Sequence, residues 1–166
     1  MKKTKLNIFS ENIYSAVEID EKKAINIAKK ILKYYLNDKN IFSISCLAES
    51  DFNCISFDIL YCDNEKTHTI NKEYREKDYP ADIITFAIFA DGDEKFVFDG
   101  EINLGEIIIS LDKVEENSKE KNVSFESELY FLISHGIMHL LGFDHQTIEE
   151  YNFILEAQTS ALESIK

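Results

Sequence analysis

Strand-like and helix-like segments are interspersed along these 166 residues, and they predict an α+β fold: a small mixed β-sheet of about four strands with helices packed on it. Three observations carry this expectation. The length suits one domain, which buries roughly 70% of its unfolded surface without staples. Apolar residues make up 45% and charged residues 30%, a globular balance that excludes disorder for the bulk of the chain. The apolar spacing switches between periods of about 2 and about 3.6, with no internal repeat and no low-complexity linker. Residues 1–166 are therefore read as a single domain.

Residues 4–9 (TKLNIF) predict a first strand. Residues 16–36 predict a helix whose apolar stripe is Ala24, Ile25, Ala28, Ile31, Leu32, Tyr35 and Leu36, with Lys22, Lys29 and Lys33 on the opposite side. Residues 42–47 and 53–62 read as two strands, the second alternating through Ile55, Phe57, Ile59 and Tyr61. Asp63 or Asn64 caps a short helix reaching Tyr74. The polar run REKDYPAD, with the sole proline Pro80, is a loop. Residues 82–89 and 105–111 are again strand-like, and the acidic, turn-rich stretch between them reads as a mobile flap. Helices are expected over 112–121, over 124–140 with Ser124 as N-cap, and over about 148–163.

Charge narrows the function. The chain has 18 basic and 31 acidic residues, a net -13, and its basic residues are 17 lysines and one arginine, Arg75. Such acidity argues against a general nucleic-acid coat and against an anionic membrane binder. Residues 1–40 depart from it, with nine lysines against five acids. Their lysine face reads as solvated, with docking of RNA as the sharper alternative. No apolar run approaches the ~20 residues of a spanning helix. The amino terminus lacks the apolar stretch of a signal peptide. Cys46, Cys54 and Cys62 are odd in number and lack a C-x-x-C partner, so they read as reduced thiols on strand-like segments in a cytoplasmic protein.

The chemistry concentrates in HGIMHLLGFDH, which holds three of the four histidines: His135, His139 and His145. The first two stand four apart on a helix, with Cβ atoms ~5–6 Å apart. That suits two imidazole nitrogens at ~2.0–2.1 Å from one Zn²⁺. Gly142 then ends the helix in a left-handed conformation and lets His145 turn back to the same ion. Three protein ligands leave a position open, the mark of a catalytic site. His68 stands apart and reads as structural. The spacing is also that of metzincin proteases, but Gly136 follows the first histidine where those enzymes carry the glutamate base. No methionine follows Met138 to make their later turn, so a peptidase is the weaker reading.

These residues resemble the YbeY family of bacterial rRNA maturation factors, metal-dependent endoribonucleases. The resemblance runs through His135, Gly136, His139, Leu140, Gly142, Asp144 and His145. Upstream it continues through Asn71, Tyr74, Arg75, Asp78, Pro80, Asp82 and Phe86, and through Leu104, Gly105, Ile107, Ile109 and Ser110. The blocks span about residues 57–148. Ala81, Thr85, Ala87 and Glu106 depart from the usual Thr, Ser, Pro and Asp, and none of them is a ligand. The resemblance implies an α+β fold with a zincin-like three-histidine site on a helix and the following loop. It implies one Zn²⁺ per chain on His135, His139 and His145, and a functional Arg75. It also implies single-strand-specific cleavage in maturation of the 16S rRNA 3′ end and in small-subunit quality control.

Arg75 brings a planar fork of donors suited to a phosphate. Asp144 reads as a hydrogen-bonding support for the site rather than as the base, which stays unassigned. The expected partners are rRNA and the small ribosomal subunit, with a ribosomal protein or a GTPase, and neither DNA nor a membrane. The competing reading is a ribosome-assembly factor whose metal is mainly structural.

Overall fold

The computed structural model describes residues 3–166. Met1 and Lys2, the start of the segment read above for a signal peptide, lie outside the described residues. The elements are β1 (Lys5–Asn12), α1 (Glu21–Asn37), α2 (Lys39–Phe42), β2 (Cys54–Cys62), α3 (Asn64–Arg75) and β3 (Ile83–Phe86). They continue with α4 (Ile88–Asp91), β4 (Glu101–Ser110), α5 (Leu111–Lys121), α6 (Phe125–Leu140) and α7 (Ile148–Ser164). The strands form one mixed sheet in the order β1-β2-β4-β3. β1, β2 and β4 run parallel, and β3 pairs antiparallel with β4. The α+β expectation is met.

The sheet is apolar on both faces because helices lie on both. Ile55, Phe57, Ile59 and Tyr61 of β2 point into the main core, as their alternation predicts, the same cluster that holds the apolar stripe of α1 and the buried face of α6. A smaller cluster on the other face joins Cys62, Ile84 and Ile108 to Ile70 of α3. β4 changes parity in mid-strand. Ile102 and Leu104 face the main core, and so do Ile107 and Ile109. One extra residue must intervene, and the register with β2 shifts accordingly between Ser56 and Asp58. Gly105 occupies the irregularity with φ +129°, its N–H donating to Asn103 Oδ1 at 2.9 Å. The bulge aims both halves of β4 inward.

Local chemistry sets the helix boundaries. α1 begins at Glu21 rather than near 16, because Asp20 caps it and Asn12 folds residues 12–17 into a turn through Tyr14 N–H and Val17 C=O. Asp63 caps α3, and Ser124 caps α6 as expected. Thr147 and Glu150 form a capping box on α7.

Two expectations fail. Residues 42–47 are not a strand: Asp38 caps α2, and turns follow in which Ile44 is exposed while Ser45 is buried. Cys46 is consequently off the sheet. Its N–H donates to Leu141 C=O at 2.9 Å and its thiol reaches Leu140 C=O at 3.6 Å, so the turn satisfies carbonyls left open at the end of α6. The stretch after Phe86 is more regular than a flap. α4 interrupts the expected strand at Ile88, and Lys95 Nζ donates to Phe89, Ala90 and Gly92 carbonyls at 2.8, 2.6 and 3.3 Å. β4 starts at Glu101, four residues before its expected start.

A Cβ at residue 105 would lie 1.9 Å from Phe86 C=O, in a backbone conformation side chains avoid. Gly105→Ala is expected to cost roughly 3 kcal/mol and to lower Tm by around 10 °C. A thermal melt matching wild type would contradict this account of the bulge.

Candidate metal centre

α6 is buried on most sides, and its sheet-facing side is unusually close to β4. Built onto Gly136, a Cβ would meet Ile107 Cδ1 at 2.8 Å. Residue 136 therefore packs on the sheet, and a glutamate base of the protease kind has no room there. His135 and His139 share a face one turn apart, with Nε2 atoms 2.9 Å from each other. Both are half-buried.

The helix ends in a Schellman turn. Phe143 N–H donates to Met138 C=O at 3.1 Å, Gly142 N–H donates to His139 C=O at 3.0 Å, and Gly142 has φ +94°. This is the expected left-handed reversal at Gly142. It brings His145 back over the helix, with its ring centroid 5.3 Å from that of His135 and 5.1 Å from that of His139. The three histidines each offer a nitrogen, all within 4.8 Å of one another.

Hydrogen bonds fix which nitrogens are offered. His139 Nδ1 lies 2.8 Å from Phe143 C=O, which only accepts, so Nδ1 carries the proton and Nε2 is bare. His135 Nδ1 lies 3.3 Å from Gln158 Oε1. The Gln158 amide is oriented by its NH₂, which donates to Phe131 C=O at 3.3 Å and Ser134 Oγ at 3.2 Å. Its oxygen thus accepts from His135 Nδ1–H, and His135 Nε2 is bare as well. Two lone pairs facing each other at this separation repel unless a cation lies between them. Tetrahedral zinc bonds of ~2.0–2.1 Å imply nitrogens about 3.3 Å apart, so the donor set fits a metal ion with little adjustment. Burial lowers the His135 pKa and pushes that of His139 down to about 4, the adjacent His135 ring adding to the latter. Both rings are held in the neutral form that binds metal.

The histidines form the floor of a cleft of about 600 Å³, with Phe131, Leu132 and Ile154 on its apolar wall. Arg75, the last residue of α3, reaches the same cleft from the opposite side of the sheet edge. Among the described residues its guanidinium makes no ion pair. Asp144 meets no histidine ring. Its Oδ1 accepts from His145 N–H at 2.8 Å, which holds its carboxyl below the usual range, and its Oδ2 accepts from Gln146 Nε2 at 2.9 Å. It shapes the ligand loop from within. His68 is remote from the centre and contacts Asp78 at 2.7 Å.

Sequence reasoning missed Gln158 and Tyr151. Gln158 is buried in the row Ile154, Ala157 and Ala161 of α7. A polar residue in such a row was the available signal. Tyr151 also lines the cleft and meets the His145 ring edge-on at 6.4 Å. No helix among the described residues is long and apolar enough to cross a membrane.

Fold and site together define an α+β protein with three imidazoles placed to hold a metal ion in an open cleft. The chain belongs to the endoribonuclease YbeY family, whose model matches residues 9–166. It is 38% identical over 160 residues to the endoribonuclease YbeY of Fusobacterium nucleatum subsp. nucleatum, covering 96% of this chain and 87% of that relative. The endoribonuclease YbeY of Malacoplasma penetrans is 36% identical over 155 residues, 93% of each chain. The solution structure of TM1509 from Thermotoga maritima superposes with a TM-score of 0.56 at 25% identity, covering 95% of this chain and 87% of that one.

If Gln158 holds the His135 tautomer, Gln158→Leu should weaken metal binding about 10- to 100-fold, with Gln158→Glu retaining it. Calorimetric titration of the metal-free protein with Zn²⁺ measures this, and equal affinities for the Leu variant and wild type would remove the role.

Proposed function

We propose that this protein is a zinc-dependent endoribonuclease that cuts single-stranded RNA, and that its substrate is the 3′ region of 16S rRNA on the small ribosomal subunit. The observation that carries the reading is the convergence of three imidazoles and one unpaired guanidinium on a single open cleft. Family membership supports RNA as the substrate, since the relatives carry the name endoribonuclease.

His135, His139 and His145 would hold the ion. When bound, it supplies Lewis acidity to a phosphoryl oxygen or to an attacking water. Arg75 binds the scissile phosphate through charge-assisted hydrogen bonds and offsets charge growing on its oxygens. The apolar wall from Phe131 to Ile154 excludes water from one side of the cleft. Among the carboxylates lining the cleft, Asp144 is engaged within its own loop. Asp82 accepts from Ile83 N–H at 2.8 Å and from Asn117 Nδ2 at 3.4 Å. Asp91 also lines the cleft and has no side-chain hydrogen bond among the described residues.

The net charge of -13 shapes how RNA is found. At ~0.15 M salt the screening length is ~8 Å, so distant acids barely affect a phosphate in the cleft. They do disfavour capture of free RNA. Delivery on a ribosomal particle, with a ribosomal protein or a GTPase as guide, follows in a cytoplasmic setting. The same acidity favours the second reading, an assembly factor that binds the particle without cutting. An open cleft above the ligands favours the enzyme.

Small-subunit particles and peptides, each with and without chelator, separate these readings. RNA-only cleavage that chelator abolishes and His139→Ala lacks is the expected result. Arg75→Lys should retain metal but cleave roughly ten- to a hundred-fold more slowly, a loss of ~1.5–3 kcal/mol. Cleavage of peptides, or full activity in His139→Ala, would sink the proposal.

A further inference from the structure

The cleft has a neighbour. A second hollow of about 350 Å³ is lined by Asn71, Arg75, Lys77, Lys113 and Asn117, and it shares Arg75, Asp82 and Ile83 with the metal cleft. Arg75 thus stands at the boundary of the two. Three cations line this hollow against the single carboxylate of Asp82, in a chain whose acids outnumber its bases 31 to 18. The lining is therefore basic, and of the acids beside it Glu116 is paired with Lys113 and Glu128 with Lys121.

The groups available in the hollow suit an anion. Lys77 is exposed, sits just beyond the end of α3, and forms no ion pair among the described residues. Lys113 contacts Glu116 at 2.7 Å, an exposed pair of the kind that a phosphate readily replaces. Asn117 Nδ2 makes two long contacts, 3.4 Å to Asp82 Oδ2 and 3.4 Å to Glu128 Oε1. It remains able to donate to a better acceptor. Asn71 is buried on the α3 side, where its Nδ2 donates to Tyr79 C=O at 2.9 Å and its Oδ1 has no partner. The loop from Glu76 to Asp82 is pinned to α3 by this amide and by Lys77 N–H donating to Asn71 C=O at 3.2 Å, so the wall is built rather than loose.

We infer that this hollow is a second phosphate subsite, in which Lys77 and Lys113 bind the backbone phosphate of a nucleotide flanking the one held by Arg75 over the metal centre. The inference rests on RNA being the substrate. It adds where the strand leaves the cleft: past Arg75 and across the Pro80 loop, rather than over α7. It also accounts for strand binding by an acidic protein, since a short basic track continues directly from the metal cleft.

The salt dependence of binding tests it. Each phosphate contact on a single strand adds about -0.7 to the slope of log affinity against log salt. The zinc-loaded protein is titrated with 2′-O-methyl oligonucleotides, which report binding without 2′-OH-driven cleavage. A dinucleotide presents one phosphodiester, and longer strands extend it on the 5′ or the 3′ side. Lys77→Gln and Lys113→Gln together should flatten the slope by about 0.7 for strands extended on one side, each alone by part of that, and leave the dinucleotide unchanged. Lys33→Gln, on α1 far along the chain, should change neither. Unchanged slopes for both hollow variants on every strand would overturn the subsite, as would an equal loss in Lys33→Gln. A wild-type protein that binds no oligonucleotide would instead remove the RNA reading and the subsite together.

Discussion

The close approach of α6 to β4 at Gly136 is the contact on which the site depends. With no side chain at residue 136, the helix seats against Ile107, and Ile133, Ile137 and Leu140 enter the core beside it. At 100° per residue, seating those positions inward turns His135 and His139 away from the sheet and toward the cleft. The bulge at Gly105 serves the same arrangement from the other side, since it returns Ile107 and Ile109 to the core face after the parity of Ile102 and Leu104. Two glycines thus set the distance and rotation of the helix that carries the ligands.

Around that helix the polar groups are arranged to present neutral imidazoles. Gln158 and the Phe143 carbonyl each accept an Nδ1 proton, which leaves Nε2 free on both rings. The Gln158 amide is satisfied on all the sides that matter, so burying it costs little. Partial burial opposes protonation of the rings. A site arranged this way aims both Nε2 lone pairs at one point, which reduces the reorganisation that binding requires. The ligand loop is fixed at both ends, by the Schellman turn behind α6 and the capping box before α7.

Much of this was legible in the chain itself. The caps at Asp63 and Ser124, the stripe of α1 and the alternation of β2 are local patterns, and the structure follows them. The turn at residues 42–47 was misread because its apolar residues are short and ambiguous, and the docking of Cys46 on the end of α6 involves residues almost a hundred positions apart. β4 was read too short because the bulge at Gly105 breaks its alternation, so its first half falls out of phase with the second. Lys95 organises the stretch after α4 through three carbonyls, a contact no periodicity signals.

The sequence by itself determined the cluster of three histidines. Four-residue spacing on a helix and a glycine before the third histidine are local facts, and local geometry carries them into space. It also marked Arg75 as the lone guanidinium of an acidic chain. Only the tertiary structure decided that Arg75 and the histidines share one cleft, that Gln158 supports His135 from a different helix, that Asp144 serves its own loop, and that Lys77 and Lys113 continue the cleft. The reason is physical: each of these depends on how α3, α5, α6 and α7 pack around one sheet. That packing is set by the summed burial of many side chains, not by the spacing of the few residues that line the cleft.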